Sequence, residues 1–256
     1  MWERAIEHVT QLSAGEPVDQ DLRVTLNFHP DRGAILESLR DQGVYRSQFE
    51  TGTSNGGLGG RRKDWESRLF GGVYDDAPPS ARPKYGALNF RRRPAGGAPR
   101  FGSAHFRLTS ETLRRTTFCY PDSVFEPADF GTAERMSLIE KAQADEKDVL
   151  DDYVEAHVHG PVTLKTDVEA LVLDPCYKGT PVERLAGELP CPVEWHHGFR
   201  AHVGDIDPEY RGAHIAELAC SLARNGFLDA RIIGEAVGKH DPQDLKKVWH
   251  CVAKFG

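Results

Sequence analysis

Glu155, His157 and His159 alternate with Val154, Ala156 and Val158 in the segment Tyr-Val-Glu-Ala-His-Val-His-Gly-Pro. Alternation with period 2 marks a half-buried strand with one polar face, so a carboxylate and two imidazoles would project side by side. Neighbours on one strand face stand about 6–7 Å apart, compact enough for a single site. A carboxylate next to an imidazole suits proton transfer, or stabilisation of a developing positive charge. The plainer alternative is a solvated strand face that is polar by default. Gly160-Pro161 interrupts the ladder, because proline lacks the N–H a central strand donates. The nearly all-apolar run Val168–Leu173 then reads as a second short strand, ending at Asp174-Pro175.

His29, His105, His157 and His159 all fall on predicted strands or their ends, and His196-His197 is a further pair, so a metal-dependent hydrolase is one alternative. It lacks a diagnostic ligand spacing, and its ligands would come from four separate segments. Cys119 and Cys176 have aromatic neighbours but no base close in sequence, and no G-x-S-x-G elbow is present. The 56–60 stretch is glycine-rich without the lysine of a phosphate-binding P-loop, and no G-x-G-x-x-G follows a strand, which argues against a doubly wound dinucleotide fold.

The elements that must position these groups read as follows. A short amphipathic helix is predicted over 2–13, a strand over 22–28 running into His29-Pro30-Asp31-Arg32, and a helix over 33–41. Strands are expected at 44–55, 84–91, 100–108 and 116–120, a charged helix over 133–150, and mostly helices after about residue 180, at 181–187, 208–225, 228–238 and 244–254. Strands in the first two-thirds and helices at the ends imply an α+β fold rather than alternating βαβ units.

The 256 residues suffice for a substantial core, and they carry 39% hydrophobic and 28% charged side chains. A net charge of −7 argues against a general nucleic-acid or anionic-membrane binder. Five cysteines at wide spacings, without C-x-x-C, fit reduced thiols rather than a disulfide framework. No run approaches membrane-spanning length and no apolar leader is evident, so the expected setting is cytoplasmic, or delivery into a host cell without a classical signal peptide.

The order of parts resembles the ADP-ribosyltransferase superfamily from residue 24 to about 174. More narrowly, Asn27-Phe28-His29-Pro30-Asp31-Arg32, Tyr45-Arg46-Ser47-Gln48-Phe49-Glu50-Thr51-Gly52, Arg100-Phe101-Gly102-Ser103-Ala104-His105 and Glu155-Ala156-His157-Val158-His159-Gly160-Pro161-Val162 look like a bacterial family of uncharacterised proteins. That family is in turn similar to effectors that ADP-ribosylate a threonine of ubiquitin. The resemblance implies a split, mainly antiparallel sheet and one domain: an N-terminal helix (1–20), a catalytic core (21–178) and a mostly helical C-terminal part (179–256). It implies NAD as substrate and a protein acceptor such as ubiquitin, modified on a threonine or serine hydroxyl; the alternative on the same fold is a non-catalytic NAD- or protein-binding module.

By the same resemblance Glu155 is the catalytic carboxylate, stabilising an oxocarbenium-like state as in glycoside hydrolysis, and either Glu155 or His157 is the base for an attacking hydroxyl. Arg32 would pair with the diphosphate, where a planar two-pronged donor suits the oxygens. His29 would hold the adenosine ribose, Tyr45 or Phe49 would stack on the nicotinamide, and Thr53 and Ser54, in Thr51-Gly52-Thr53-Ser54, would close the second strand, with Ser54 supporting Glu155. Tyr153 stands two before Glu155, where many relatives carry an acid or amide, and Glu169 is a rival carboxylate ahead of its own apolar strand.

Overall fold

A computed structural model describes residues 1–52 and 61–256. Helix α1 (Trp2–Leu12) buries Ala5 and Val9, the face its 3–4 residue spacing defines. Strand β1 (Val24–Phe28) leads to helix α2 (Ile35–Gln42), strand β2 (Val44–Tyr45), the one-turn helix α3 (Gln48–Thr51) and helix α4 (Arg61–Leu69). Strands β3 (Lys84–Leu88), β4 (Ala104–Leu108), β5 (Thr116–Tyr120) and β6 (Asp129–Thr132) precede helix α5 (Leu138–Ala144). Then come β7 (Val154–Val158), β8 (Val162–Thr163), α6 (Leu164–Asp167), β9 (Val168–Leu173), α7 (Pro181–Gly187), β10 (Val193–Trp195) and β11 (Arg200–His202). The chain closes with α8 (Pro208–Arg211), α9 (Ala213–Leu222), β12 (Phe227–Asp229), α10 (Ala230–Gly234) and α11 (Pro242–Phe255). The class is α+β, as expected. No helix among the described residues is long and apolar enough to cross a membrane.

Eight strands form the main sheet in the order β10-β9-β4-β1-β3-β7-β5-β6, antiparallel except where β10 joins β9. Strand β1 separates β3 from β4, so the two predicted strands at 84–91 and 100–108 flank it instead of pairing with each other. The ladders are unequal. β4 follows β1 from Thr25↔Arg107 to Phe28↔Ala104, and β7 follows β3 from Leu88↔Val154 to Lys84↔Val158. Between β1 and β3 only Val24↔Leu88 and Thr25↔Ala87 are in register. Past Thr25 the half-sheets are no longer laddered to each other, on the side where β1 runs into His29.

Alternation gives the sheet two unlike faces. Leu26 and Phe28 of β1, Phe106 of β4, Leu171 of β9, Ala156 and Val158 of β7 and Phe118 of β5 belong to one large apolar cluster. The opposite face is polar: register sets Thr25 and Asn27 against Arg107 and His105, Tyr85 against His157, and Cys119 against Glu155. The 94–102 loop lies on this face, with Gly97 N donating to Thr25 Oγ1 (2.8 Å) and Asn27 Nδ2 to the Ala95 carbonyl (3.0 Å). Its glycines permit the approach: a Cβ on Gly102 would sit 2.0 Å from the Phe28 carbonyl carbon, and one on Gly96 2.8 Å from Asn27 Oδ1. Helix α11 braces the loop through Trp249 Nε1, which donates to the Pro99 carbonyl at 2.9 Å.

Three expected elements differ. The strand over 44–55 is only β2 followed by α3, because Ser47 and Glu50 form a capping box: Ser47 Oγ accepts from Glu50 N (3.3 Å) and Glu50 Oε2 from Ser47 N (2.7 Å). The helix over 133–150 shrinks to α5. The C-terminal part also contains β10, β11 and β12, and β10 extends the main sheet. It is also continuous with the core, since Ile215, Leu228, Val248 and Val252 share the large apolar cluster with Leu26 and Phe106.

Candidate functional site

Glu155 is 6% exposed and His157 and His159 are fully buried, so the polar strand face is an interior one and the solvated reading fails. A buried carboxylate needs donors. Ser123 Oγ donates to Glu155 Oε2 at 3.0 Å, and His157 Nε2 lies 2.9 Å from Glu155 Oε1. The relay continues through Thr117 Oγ1, which is 3.3 Å from His157 Nδ1 and 2.9 Å from His159 Nε2, and ends at Tyr74, whose hydroxyl is 2.7 Å from His159 Nδ1. Tyr85, Phe70 and Trp65 wall His157 edge-on, with ring centroids at 5.1, 5.4 and 6.2 Å. Burial, then His157 and Arg115, holds His159 well below the ordinary imidazole range, so it is neutral.

Cys119 joins this cluster from β5. Its Sγ is 3.9 Å from both Glu155 Oε1 and His157 Nε2. Burial and the Glu155 charge push the thiol well above its usual range. Ligand atoms of Cys119, Glu155 and His157 all lie within 4.8 Å of one another, the one such group of three among the described residues. Cysteine, carboxylate and imidazole together are a donor set that zinc accepts. The four-histidine cluster expected as the metal alternative does not form. His157 and His159 share Thr117, while His29 stands edge-on to Trp249 (4.8 Å) and His105 lies beside His196 and Arg107. His196 is already satisfied, with Nε2 2.7 Å from the Ser103 carbonyl and Nδ1 accepting from Gly198 N at 2.9 Å.

The other site residues separate into groups. Glu169, the rival carboxylate, is held by Arg23 (2.6 Å) and Arg107 (3.0 Å). Tyr45 packs edge-on to Phe106 at 5.9 Å, on the apolar side of the sheet, and burial pushes its phenol up to about 12. Phe49 carries the Arg82 guanidinium 4.4 Å from its ring centroid. Neither ring, expected to stack on the nicotinamide, meets the Glu155 cluster among the ring contacts of the described residues. The capping box is the cause, since it turns 48–51 into a helix. Thr53 and Ser54 lie outside the described residues; among the described ones, Ser123 supplies a hydroxyl to Glu155.

His29 and Arg32 sit at the open end of β1. His29 is buried, its Nδ1 has no partner among the described residues, and burial followed by Arg32 and His250 keeps it well below the ordinary range. Arg32 Nε and one terminal nitrogen are buried without a hydrogen-bond partner among the described residues, although Asp31 and Tyr177 are its electrostatic neighbours. Burial raises Asp31 to about 6 against the opposing pull of Arg32.

These two ends are connected by charge. Asp122 follows Glu155 through Ser123, accepts from Tyr153 Oη and Val124 N, and is raised to about 6 by burial and then by the Glu155 charge. Arg100 acts on Asp122, Lys246 feels Arg100, Asp122 and Arg211, and His250 feels Arg100, Arg211 and Lys246. His250 in turn is felt by His29. A line of ionisable groups thus runs from Glu155 to Arg32. Sequence reasoning missed Asp122, Ser123, Arg211 and His250 and set Cys119 aside for want of a nearby base; the five come from four places, β5, the 121–125 turn, α8 and α11, with no shared spacing.

The family model described as protein of unknown function, DUF3626, matches residues 23–146 and 134–252. No curated protein matches the chain. The two matched segments take in most of the molecule, including every residue of the line from Glu155 to Arg32, and the chain belongs to the DUF3626 family.

Proposed function

We propose that this member of the DUF3626 family is an NAD-dependent mono-ADP-ribosyltransferase acting on a protein side chain, with a threonine or serine hydroxyl, as in ubiquitin, the acceptor that the sequence resemblance favours. The observation that carries the reading is the Glu155 carboxylate, buried and fixed by Ser123 and His157. Cleavage of the nicotinamide–ribose bond builds positive charge on the ribose, and a fixed carboxylate in a water-poor site stabilises it. The unpartnered guanidinium nitrogens of Arg32 and the free Nδ1 of His29 fit the phosphate and ribose oxygens of a dinucleotide. In this reading His157, one pleat along from Glu155, takes the proton from an attacking hydroxyl. The unequal ladders around β1 also agree with a split-sheet core.

The test is nicotinamide release from NAD by wild type and Glu155→Gln, with and without ubiquitin. Release by the wild type that is lost in the variant is the expected result. NAD that is neither bound nor cleaved sinks the reading.

A second reading draws on the Cys119–Glu155–His157 group, in which Glu155 would be a metal ligand and the protein a metal-dependent hydrolase. Metal content of the purified protein, with Cys119→Ser as the control, separates the two.

A further inference from the structure

The strongest feature outside the Glu155 cluster is a cavity of about 430 Å³ between α8 and α11, lined by Tyr210, Arg211, Gln243, Lys246, Lys247 and His250. Arg100, on the loop beneath, lies within electrostatic reach of Lys246 and His250. Three cations line the wall and a fourth stands behind it. Two of these cations are ion-paired, Arg100 with Asp151 and Lys247 with Asp244 (3.5 Å), while Asp148 is taken by Lys254 and the Tyr210 hydroxyl (3.1 Å).

His250 is the second observation. It is 4% exposed, yet neither ring nitrogen has a partner among the described residues. A neutral imidazole has one donor and one acceptor, and leaving both unmet in the interior is costly. Arg211 Nε and Arg100 Nε are likewise buried without a partner. Unmet donors on two guanidinium groups and an imidazole, gathered at one concave wall, match the oxygens of a tetrahedral anion.

We infer that the α8–α11 cavity is a binding site for a phosphate or diphosphate group, held by Arg211, Lys246 and His250 with Arg100 behind them. The assignment stands on these residues and not on the transferase reading. It adds to that reading a second place, distinct from Arg32, where the diphosphate of a nucleotide would be gripped. Burial together with Arg100, Arg211 and Lys246 keeps His250 down at about 3, so its ring enters the site as a neutral donor and leaves the charge to its neighbours.

The experiment is calorimetric titration of the full chain with inorganic pyrophosphate, using wild type, Arg211→Gln and His250→Gln, at low and raised ionic strength. Arg211 is only partly buried, so Arg211→Gln keeps the test decisive if His250→Gln folds poorly. The site predicts saturable binding, weakened by salt and weakened about tenfold to a hundredfold in Arg211→Gln at unchanged melting temperature. Absence of pyrophosphate binding overturns the inference, as does binding that survives Arg211→Gln or that sulfate reproduces equally well. Adding ADP-ribose distinguishes the ligand's source: displacement of pyrophosphate assigns the anion to a nucleotide, and retention assigns it to a smaller phosphoester. Nicotinamide release measured alongside keeps the two conclusions apart, since a wild type that turns over NAD but binds no pyrophosphate removes the cavity assignment alone.

Discussion

His157 Nε2 lies 2.9 Å from Glu155 Oε1, with both side chains on the same face of one strand and one pleat apart. Strand geometry fixes this pair more firmly than a loop would, and Ser123 closes the other side of the carboxylate.

Ser123→Ala and His157→Gln test that positioning. Each is expected to lower kcat for nicotinamide release by about a hundredfold, the order of effect that follows from misplacing a reacting group by an ångström. The KM for NAD should barely move, because neither side chain belongs to the His29–Arg32 end. Equal losses in NAD affinity would show a collapsed pocket instead.

Metal removal separates the readings of Cys119. Its thiol is pushed high by burial, so without a metal it is a neutral neighbour of Glu155. Dialysis against a chelator should leave nicotinamide release unchanged. Activity lost on chelation and restored by zinc would reassign Glu155 as a ligand.

Behind the site, Glu66 and Arg82 form an ion pair in which Glu66 is 0% and Arg82 3% exposed, and Glu66 also takes the Tyr85 hydroxyl at 2.7 Å. Removing one partner strands the other charge. Glu66→Ala should cost about 3–5 kcal/mol in chemical denaturation. Replacing both partners with apolar residues should cost far less.

Stability should fall on acidification. His105 and His250 are held down at about 3, and His29 lies well below its usual range, so all three are neutral in the fold. A depressed histidine contributes stability that is full above the unfolded value near 6.5 and is lost as pH falls toward the folded one. Each is worth at most about 2 kcal/mol at pH 5. Asp31 and Asp122, raised to about 6, pull the other way, since each keeps its proton longer in the fold. His105→Gln should therefore move the acid-unfolding midpoint to lower pH. A midpoint that stays put or rises would contradict the assignment.

Local pattern carried some of this molecule and not the rest. The period-2 run at 154–158 and the apolar run at 168–173 were readable because burial of one face, or of both, writes directly into residue order. Helices α1, α2, α7 and α11 were readable for the same reason. The insertion of β1 between β3 and β4 was not, since antiparallel partners far apart leave no mark in either segment. That pairing problem also hid the site: Cys119 meets Glu155 only because β5 lies beside β7 in one register. The Ser47–Glu50 box, by contrast, stood in the sequence as Ser-x-x-Glu, and the β-branched and aromatic residues around it masked it.

The glycines of the 94–102 loop have a mechanical consequence. Gly102 rests on the Phe28 backbone, Gly97 is tied to Thr25, and Trp249 pins Pro99 from above, so the loop behaves as a strut rather than a flap. Arg100 rides on that strut, between an anchor on β1 and an anchor on α11. A push on its guanidinium therefore bears on both anchors, the strand that runs into His29 and the helix that carries His250.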